Sequence, residues 1–253
     1  MFIPSFKRAA SMLVLIFAAA AVAHAELPVI AKARAYLGSE SALNAIKSVH
    51  YVGSVLVPNA ADPKKPTRMT VDIIFQAPYR QRTVRSTATV TDTTALDDFD
   101  SWHRIQDAKD PTRWKMQLLT ADQIRRQRAI AWENLAFYRG LEREGGQVLD
   151  QGTVAIDGIT CRKVAFVHAK DIVFYRSFDV TNGRLVQTET ESGSTIREQG
   201  EIRVNGVRFP RVITNSVKDA QGKNQTITVT FDRITVNETH PESFFEVPPL
   251  IAK

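Results

Sequence analysis

The sequence predicts a mainly antiparallel β protein with helices, an α+β fold in which a long, strongly curved sheet forms an incompletely closed barrel covered by a helical plug or lid. Three observations predict it. Apolar and polar residues alternate with a period of two over much of residues 49–236, the pattern of half-buried strands. Asp157-Gly158, Asn182-Gly183 and Asn205-Gly206 fall between such alternations with no helix intervening. These dipeptides supply the positive φ angles of two-residue hairpins, so neighbouring strands run antiparallel. Only residues 27–48 and 120–141 carry helical spacing, and they alone can cover the apolar face of so long a sheet. A sandwich of two sheets fits the same alternation.

The chain opens with Lys7 and Arg8, an apolar run over residues 12–22, and Ala23-His24-Ala25 before Glu26. A charged start, a short apolar stretch and small residues two apart form the pattern of a secretory signal peptide cleaved after Ala25. The run falls well short of the roughly 20 residues needed to cross a bilayer. Residues 26–253 are then expected to form a single domain, because no Pro-rich or Ser-rich linker divides them. The formal charge of +6 drops to +4 once Lys7 and Arg8 are removed, since residues 1–25 contain no acid. That mild excess favours anionic partners only weakly and gives no footing for nucleic acid in an exported chain. The single cysteine, Cys161, cannot form an internal disulfide, and its setting "DGITCRKVAF" reads as the start of a buried strand with an inert thiol.

The mature part begins with Val29, Ile30, Ala33, Tyr36 and Leu37 at helical spacing before Gly38, and a second short helix is expected to start near Ser39 or Ser41. "MTVDIIF" then places Val71, Ile73 and Phe75 on one strand face. "RTVRSTATV" reads as one strand with Val84, Ala88 and Val90 aligned, and "RWKMQLL" alternates through Trp114, Met116 and Leu118. Thr120 to Gln123 has the spacing of a capping box at the head of a central helical segment, with Arg139 and Arg143 expected at its end. After Gly145-Gly146 the chain is nearly all strand, with a further turn at residues 220–223 before "NQTITVTF", where Ile227, Val229 and Phe231 align. In "ITVNETHPESFFEVPP", Phe244 and Phe245 are expected to clamp the end of the last strand, and Pro248-Pro249 stops further pairing.

Residues for catalysis are sparse. His50, His103, His168 and His240 lie singly, without H-x-x-x-H or C-x-x-C spacing, and no nucleophile elbow, Walker loop or dinucleotide loop is present. Asp97, Asp98 and Asp100 lack the ordered ligand series of a calcium loop and read as a solvated hairpin turn. Asn224 and Asn237 head glycosylation sequons, which carry meaning only in a eukaryotic secretory route. The reading assigns no catalytic residue, no cofactor and no metal. Residues distant in sequence can still converge into a hydrolase site on a β scaffold.

The order of elements carries a resemblance. "ARAYLGSESALNAIKSVHYVGSV", "FQAPYRQR", "QGTVAIDGITCRKVAF", "RSFDVTNGRLVQTE", "VNGVRFPRVI" and the C-terminal stretch occur in the sequence in that order. The mature chain thereby resembles periplasmic outer-membrane lipoprotein-sorting and lipoprotein-carrier proteins, the LolA/LolB-like half-barrels, over about its whole length. One departure is "LDDFDSW" at residues 96–102, where relatives have an Asp-Gly turn before a tryptophan. The resemblance implies a half-open barrel with a helical lid and an apolar cavity for acyl chains, in a non-enzymatic periplasmic carrier of lipid or lipoproteins. On that reading Val71, Ile73, Phe75, Trp114, Met116, Leu118, Ile227, Val229 and Phe231 are candidate cavity walls, and Leu135 and Phe137 candidate lid contacts. Trp102, Trp132 and Tyr138 either line such a cavity or pack an ordinary core. Arg125, Arg126 and Arg128 are either a solvated helix face or a cationic rim for lipid head groups and a peripheral membrane contact. The resemblance also admits a periplasmic sensor or interaction module with an envelope protein as partner.

Overall fold

A computed structural model describes residues 26–59, 65–218, 222 and 224–249. Two helices open it. α1 (Pro28–Leu37) starts on a proline, which suits the first helical position because no hydrogen bond is lost there. It stops at Gly38, where a Cβ would lie 2.8 Å from the carbonyl oxygen of Gly206. Only glycine lets that later turn approach the helix end so closely. α2 (Glu40–Ala45) is capped by Ser39, whose hydroxyl accepts from the Ala42 amide.

Six strands follow as a meander: β1 (Ser48–Val57), β2 (Thr67–Gln76), β3 (Arg80–Ser86), β4 (Val90–Asp97), β5 (Asp100–Asp107) and β6 (Trp114–Leu118). The chain then crosses over through α3 (Ala121–Leu135) and a 3-10 turn (Leu141–Glu144) to the far edge of the sheet. It returns as β7 (Gln147–Ile156), β8 (Ile159–Ala169), β9 (Ile172–Asp179), β10 (Leu185–Thr190) and β11 (Thr195–Gln199). A small hairpin, β12 (Ile202–Val204) and β13 (Val207–Phe209), leaves the sheet before β14 (Val212–Lys218) and β15 (Asn224–Val236) complete it beside β1. The result is one antiparallel sheet of 13 strands in the order β6-β5-β4-β3-β2-β1-β15-β14-β11-β10-β9-β8-β7. The edges β6 and β7 are not paired, so the sheet is an incompletely closed barrel and not a sandwich.

The helices lie on one face of this sheet, over two adjoining apolar clusters. Ile30, Ala33, Trp132, Tyr138, Phe166 and Phe178 belong to the cluster against β8 and β9. Leu43, Tyr51, Phe75, Leu96, Ala131, Phe137, Phe209 and Phe231 belong to the one against β1, β2 and β15. The segment after β15 covers the opposite, convex face: Phe245 is fully buried there and its carbonyl accepts from Trp102 Nε1 at 3.0 Å. Phe244, its neighbour, is 38 % exposed, so one ring of the pair clamps and the other does not.

Several local expectations are met or corrected. The capping box at Thr120 and Gln123 forms in both directions. Asp157-Gly158 and Asn205-Gly206 are two-residue turns with both φ angles positive. Asn182-Gly183 is not such a turn. It lies in the longer loop between β9 and β10, where only Gly183 is left-handed. "RTVRSTATV" breaks into β3 and β4, because the Thr87 hydroxyl accepts from the amides of Thr89 and Val90 and builds a local turn in place of a continuous strand. α3 ends at Leu135, so Arg139 is not at its terminus but bridges Glu26 and Glu40. Residues 1–25 and most of the expected turn at 220–223 lie outside the described residues.

Candidate functional site

The strand registers fix which side chains face the helices. Tyr51 on β1 stands opposite Ile73 on β2 and Ile234 on β15; Val49 stands opposite Phe75, and Gly53 opposite Val71 and Phe231. Ile213 on β14 faces Val229 and, on its other side, Glu198 on β11. Directly opposed residues share a face, so these side chains form a continuous concave wall. Two chambers open along it. The inner, of about 170 Å³, is lined by Tyr51, Ile73, Phe75, Phe137, Tyr138, Glu198, Phe209, Ile213 and Phe231, among others. The outer, of about 450 Å³, lies between α1 and the loop and hairpin that follow β11, against Tyr36, Leu185, Glu201 and Pro210. Both are bounded by Leu37, Tyr138, Glu198, Arg208, Phe209 and Pro210. The outer volume lies in the range of small-molecule sites.

The predicted wall residues divide sharply. Ile73, Phe75, Phe137 and Phe231 line the inner chamber. Leu135 and Val229 pack against the same apolar cluster, while Val71 is buried on that face and Ile227 half-buried further along β15. Trp114, Met116 and Leu118 are on the other side of the sheet. The β5 to β6 register puts Leu118 opposite Trp102 and Met116 opposite Arg104, on the convex face, and Leu118 is 65 % exposed. They are not cavity walls. Trp102 is buried beneath the C-terminal segment on that same face, and Trp132 lies in the cluster beneath α1.

The three arginines of α3 are each engaged within the chain. Arg125 pairs with Asp122 and Asp171, Arg126 with Glu191, and Arg128 with Asp98. The Arg128 guanidinium also lies over the rings of Tyr79 and Phe99, at 3.8 and 4.1 Å. These contacts brace α3 against the turns between β4 and β5, β8 and β9, and β10 and β11. The departure at residues 96–102 therefore has a structural use: Asp98-Phe99 forms the tip of a tight hairpin that receives Arg128.

Beneath α3 lies a buried polar group that sequence reasoning missed. Glu133 Oε1 is 2.6 Å from His168 Nε2, and its other oxygen accepts from Arg176, whose guanidinium sits 4.9–5.9 Å from the rings of Phe166, Tyr138 and Phe174. Arg34 is also buried; it forms two hydrogen bonds to Glu40 and donates at 2.6 Å to the carbonyl of Phe137. That bond helps to satisfy a turn in which Phe137 and Tyr138 are both left-handed. Glu198 completes the set. It is recessed between the chambers, its carboxyl makes no hydrogen bond among the described residues, and burial pushes its pKa up while Arg176 pulls it down. Alternation of Ile196 with Glu198 was the available signal, since it aligns the acid with an inward-facing residue.

Among the described residues no helix is long and apolar enough to cross a membrane. No protein-family model matches the chain, and no curated protein matches it. Solved structures do. A LolA superfamily protein from Nitrosomonas europaea superposes with a TM-score of 0.57 at 11% identity, over 87% of this chain and 96% of that one. A structure described as an outer membrane lipoprotein-sorting protein domain from Vibrio parahaemolyticus gives 0.55 at 10% identity, over 85% and 94%. A DUF1329 family protein from Desulfovibrio piger gives 0.54 at 7% identity, over 86% and 95%. The chain thus has the LolA-like fold, an open antiparallel barrel with helices on its concave face.

Proposed function

We propose that this chain is a non-enzymatic periplasmic carrier that takes an acyl chain of a lipid or lipoprotein into the chambers between its helices and its sheet. The observation that carries this reading is the aromatic inner chamber, walled by Ile73, Phe75, Phe137, Phe209 and Phe231 and sharing six lining residues with a wider one beside α1. At about 30 Å³ per methylene-sized group, the inner space of about 170 Å³ admits five or six methylenes. Burial at about 0.8 kcal/mol each stabilises the bound chain by ~4–5 kcal/mol before ordering costs. Arg208 borders both chambers, close to Arg203 and Arg139 in the adjoining surface groove. Each of them is ion-paired, Arg139 with Glu26 and Glu40 and both Arg203 and Arg208 with Glu201, so a head group at this mouth would meet a mixed-charge rim. The outer chamber opens beside α1, the side from which the chain would enter.

The fold supports this reading through the description of its neighbours as lipoprotein-sorting and LolA proteins. Export rests on the signal-peptide pattern of residues 1–25. Native mass spectrometry of residues 26–253 purified from a bacterial periplasm, paired with uptake of a fluorescent fatty acid, tests it. Co-purified lipid with saturable uptake is expected. Repeated absence of both would overturn the carrier reading.

A further inference from the structure

The convex face, away from both chambers, holds a second constellation. His50 projects from β1 on the side opposite Val49 and Tyr51, and the segment after β15 brings Glu238 and His240 against it. One donor atom from each of these three side chains lies within 4.8 Å of the other two, the only such group of His, Cys or acidic residues among the described residues. We propose that His50 Nδ1, Glu238 Oε2 and His240 Nε2 form a binding site for a divalent transition-metal ion of the zinc class.

Four features point to a metal. Glu238 Oε2 is 2.7 Å from His50 Nδ1 and 3.9 Å from His240 Nε2, so one carboxylate oxygen sits between two imidazole nitrogens. Ligands about 2.0–2.2 Å from a tetrahedral zinc lie roughly 3.3–3.5 Å apart, and the separations here, from 2.7 Å to at most 4.8 Å, bracket that value. His240 Nε2 is buried without a hydrogen bond, and the side chain is only 9 % exposed. A buried ring nitrogen without a partner beside a carboxylate is a polar atom that a bound cation would satisfy. The other nitrogen of His50, Nε2, is 3.0 Å from Asp72 Oδ2. A carboxylate holding the far nitrogen of a ligating histidine is the usual support that fixes its tautomer and orientation. Finally, two imidazoles and one carboxylate suit zinc, copper, nickel or cobalt and not calcium or magnesium, which take oxygen donors.

The backbone holds the site in shape. Asn237 is left-handed, its Oδ1 accepts from the Lys47 amide at 2.7 Å and its Nδ2 donates to the Ala45 carbonyl. The Ser48 hydroxyl donates to the Glu238 carbonyl at 3.0 Å, and the Phe244 ring stacks on His240. The ion would tie the C-terminal segment to β1, and its binding energy would add to the stability of the fold.

Calorimetric titration of chelator-treated protein, residues 26–253, with Zn²⁺ tests the site. One ion per chain with a Kd of about 10 μM or tighter is expected. Glu238→Gln and His240→Ala should each weaken it at least tenfold, and Asp72→Asn by about tenfold, the usual effect of losing a supporting carboxylate. His103→Ala, on the concave face beside Asp92, should leave it unchanged. NMR of the wild-type imidazoles gives a reading independent of variant folding: Zn²⁺ should move the His50 and His240 rings and leave His103 and His168 in place. No binding of Zn²⁺, Co²⁺, Ni²⁺ or Cu²⁺, or binding that spares the His50 and His240 resonances, would overturn the proposal.

Discussion

Removing the Glu133 carboxylate should do more damage than removing the whole buried pair. Glu133 and Arg176 are 4 % and 9 % exposed at their side chains, and Arg176 Nε already lacks a partner. In Glu133→Leu the guanidinium keeps the aromatic faces and loses its hydrogen-bonded carboxylate, with Glu198 the remaining acid that acts on it. Breaking a buried pair in this way costs about 3–5 kcal/mol. For a domain of this size each 1 kcal/mol moves Tm by about 2–4 °C, so the variant should melt roughly 6–20 °C below wild type. The double variant Glu133→Leu/Arg176→Met removes the stranded guanidinium and places apolar groups among Tyr138, Phe166 and Phe174, while His168 loses its carboxylate and Glu198 its nearby cation; it should recover part of that loss. Reversible thermal unfolding followed by circular dichroism gives the coupling energy. Losses that add, with the double variant melting below both single ones, would refute the claim that the cost lies in the orphaned cation.

Three further outcomes follow from the same structure. Glu198 has its pKa raised by burial, so the native state binds that proton more tightly than the unfolded chain does; its contribution is full below about pH 4 and lost as pH rises through the folded value. Glu198→Gln should therefore raise stability at pH 7, with the gain vanishing near pH 4, as checked by denaturant titration at both pH values. Gly53 faces a bulge where β15 inserts Asp232, and a Cβ there would lie 2.0 Å from the Thr230 carbonyl oxygen; Gly53→Ala should cost about 3 kcal/mol or prevent folding, measured by the urea midpoint. Phe245→Ala should cost about 3–5 kcal/mol and Phe244→Ala about 1 kcal/mol or less, because only the first ring is fully buried, and equal losses in thermal melts would contradict that assignment.

What the sequence showed, and what it did not, has a physical basis. Alternation within "MTVDIIF" and "NQTITVTF" correctly paired Ile73 with Phe75 and Val229 with Phe231, since period two is a local property of a strand. The same rule misplaced Trp114, Met116 and Leu118. Alternation says which residues share a face but not which face that is; the register against β5 decides it. Here the usual shortcut, apolar means inward, breaks down because the C-terminal segment makes part of the convex face apolar as well, around Ile74, Trp102 and Phe245. The helix signals at Ser39 and Thr120 were legible because caps are local. Glu133 with Arg176, and His50 with Glu238, stand 43 and 188 residues apart, so no spacing motif joins them.

Carrier function as proposed here requires the inner chamber to receive part of a ligand's chain. Its direct test is the affinity of residues 26–253 for a fluorescent long-chain fatty acid, wild type against Ile213→Trp, which projects a large ring into the inner space of about 170 Å³. Loss of even two or three buried methylenes at about 0.8 kcal/mol each predicts binding weakened at least tenfold with the fold intact. Equal affinity in the two proteins would show that the acyl chain lies elsewhere and would overturn the assignment of the inner chamber as its site.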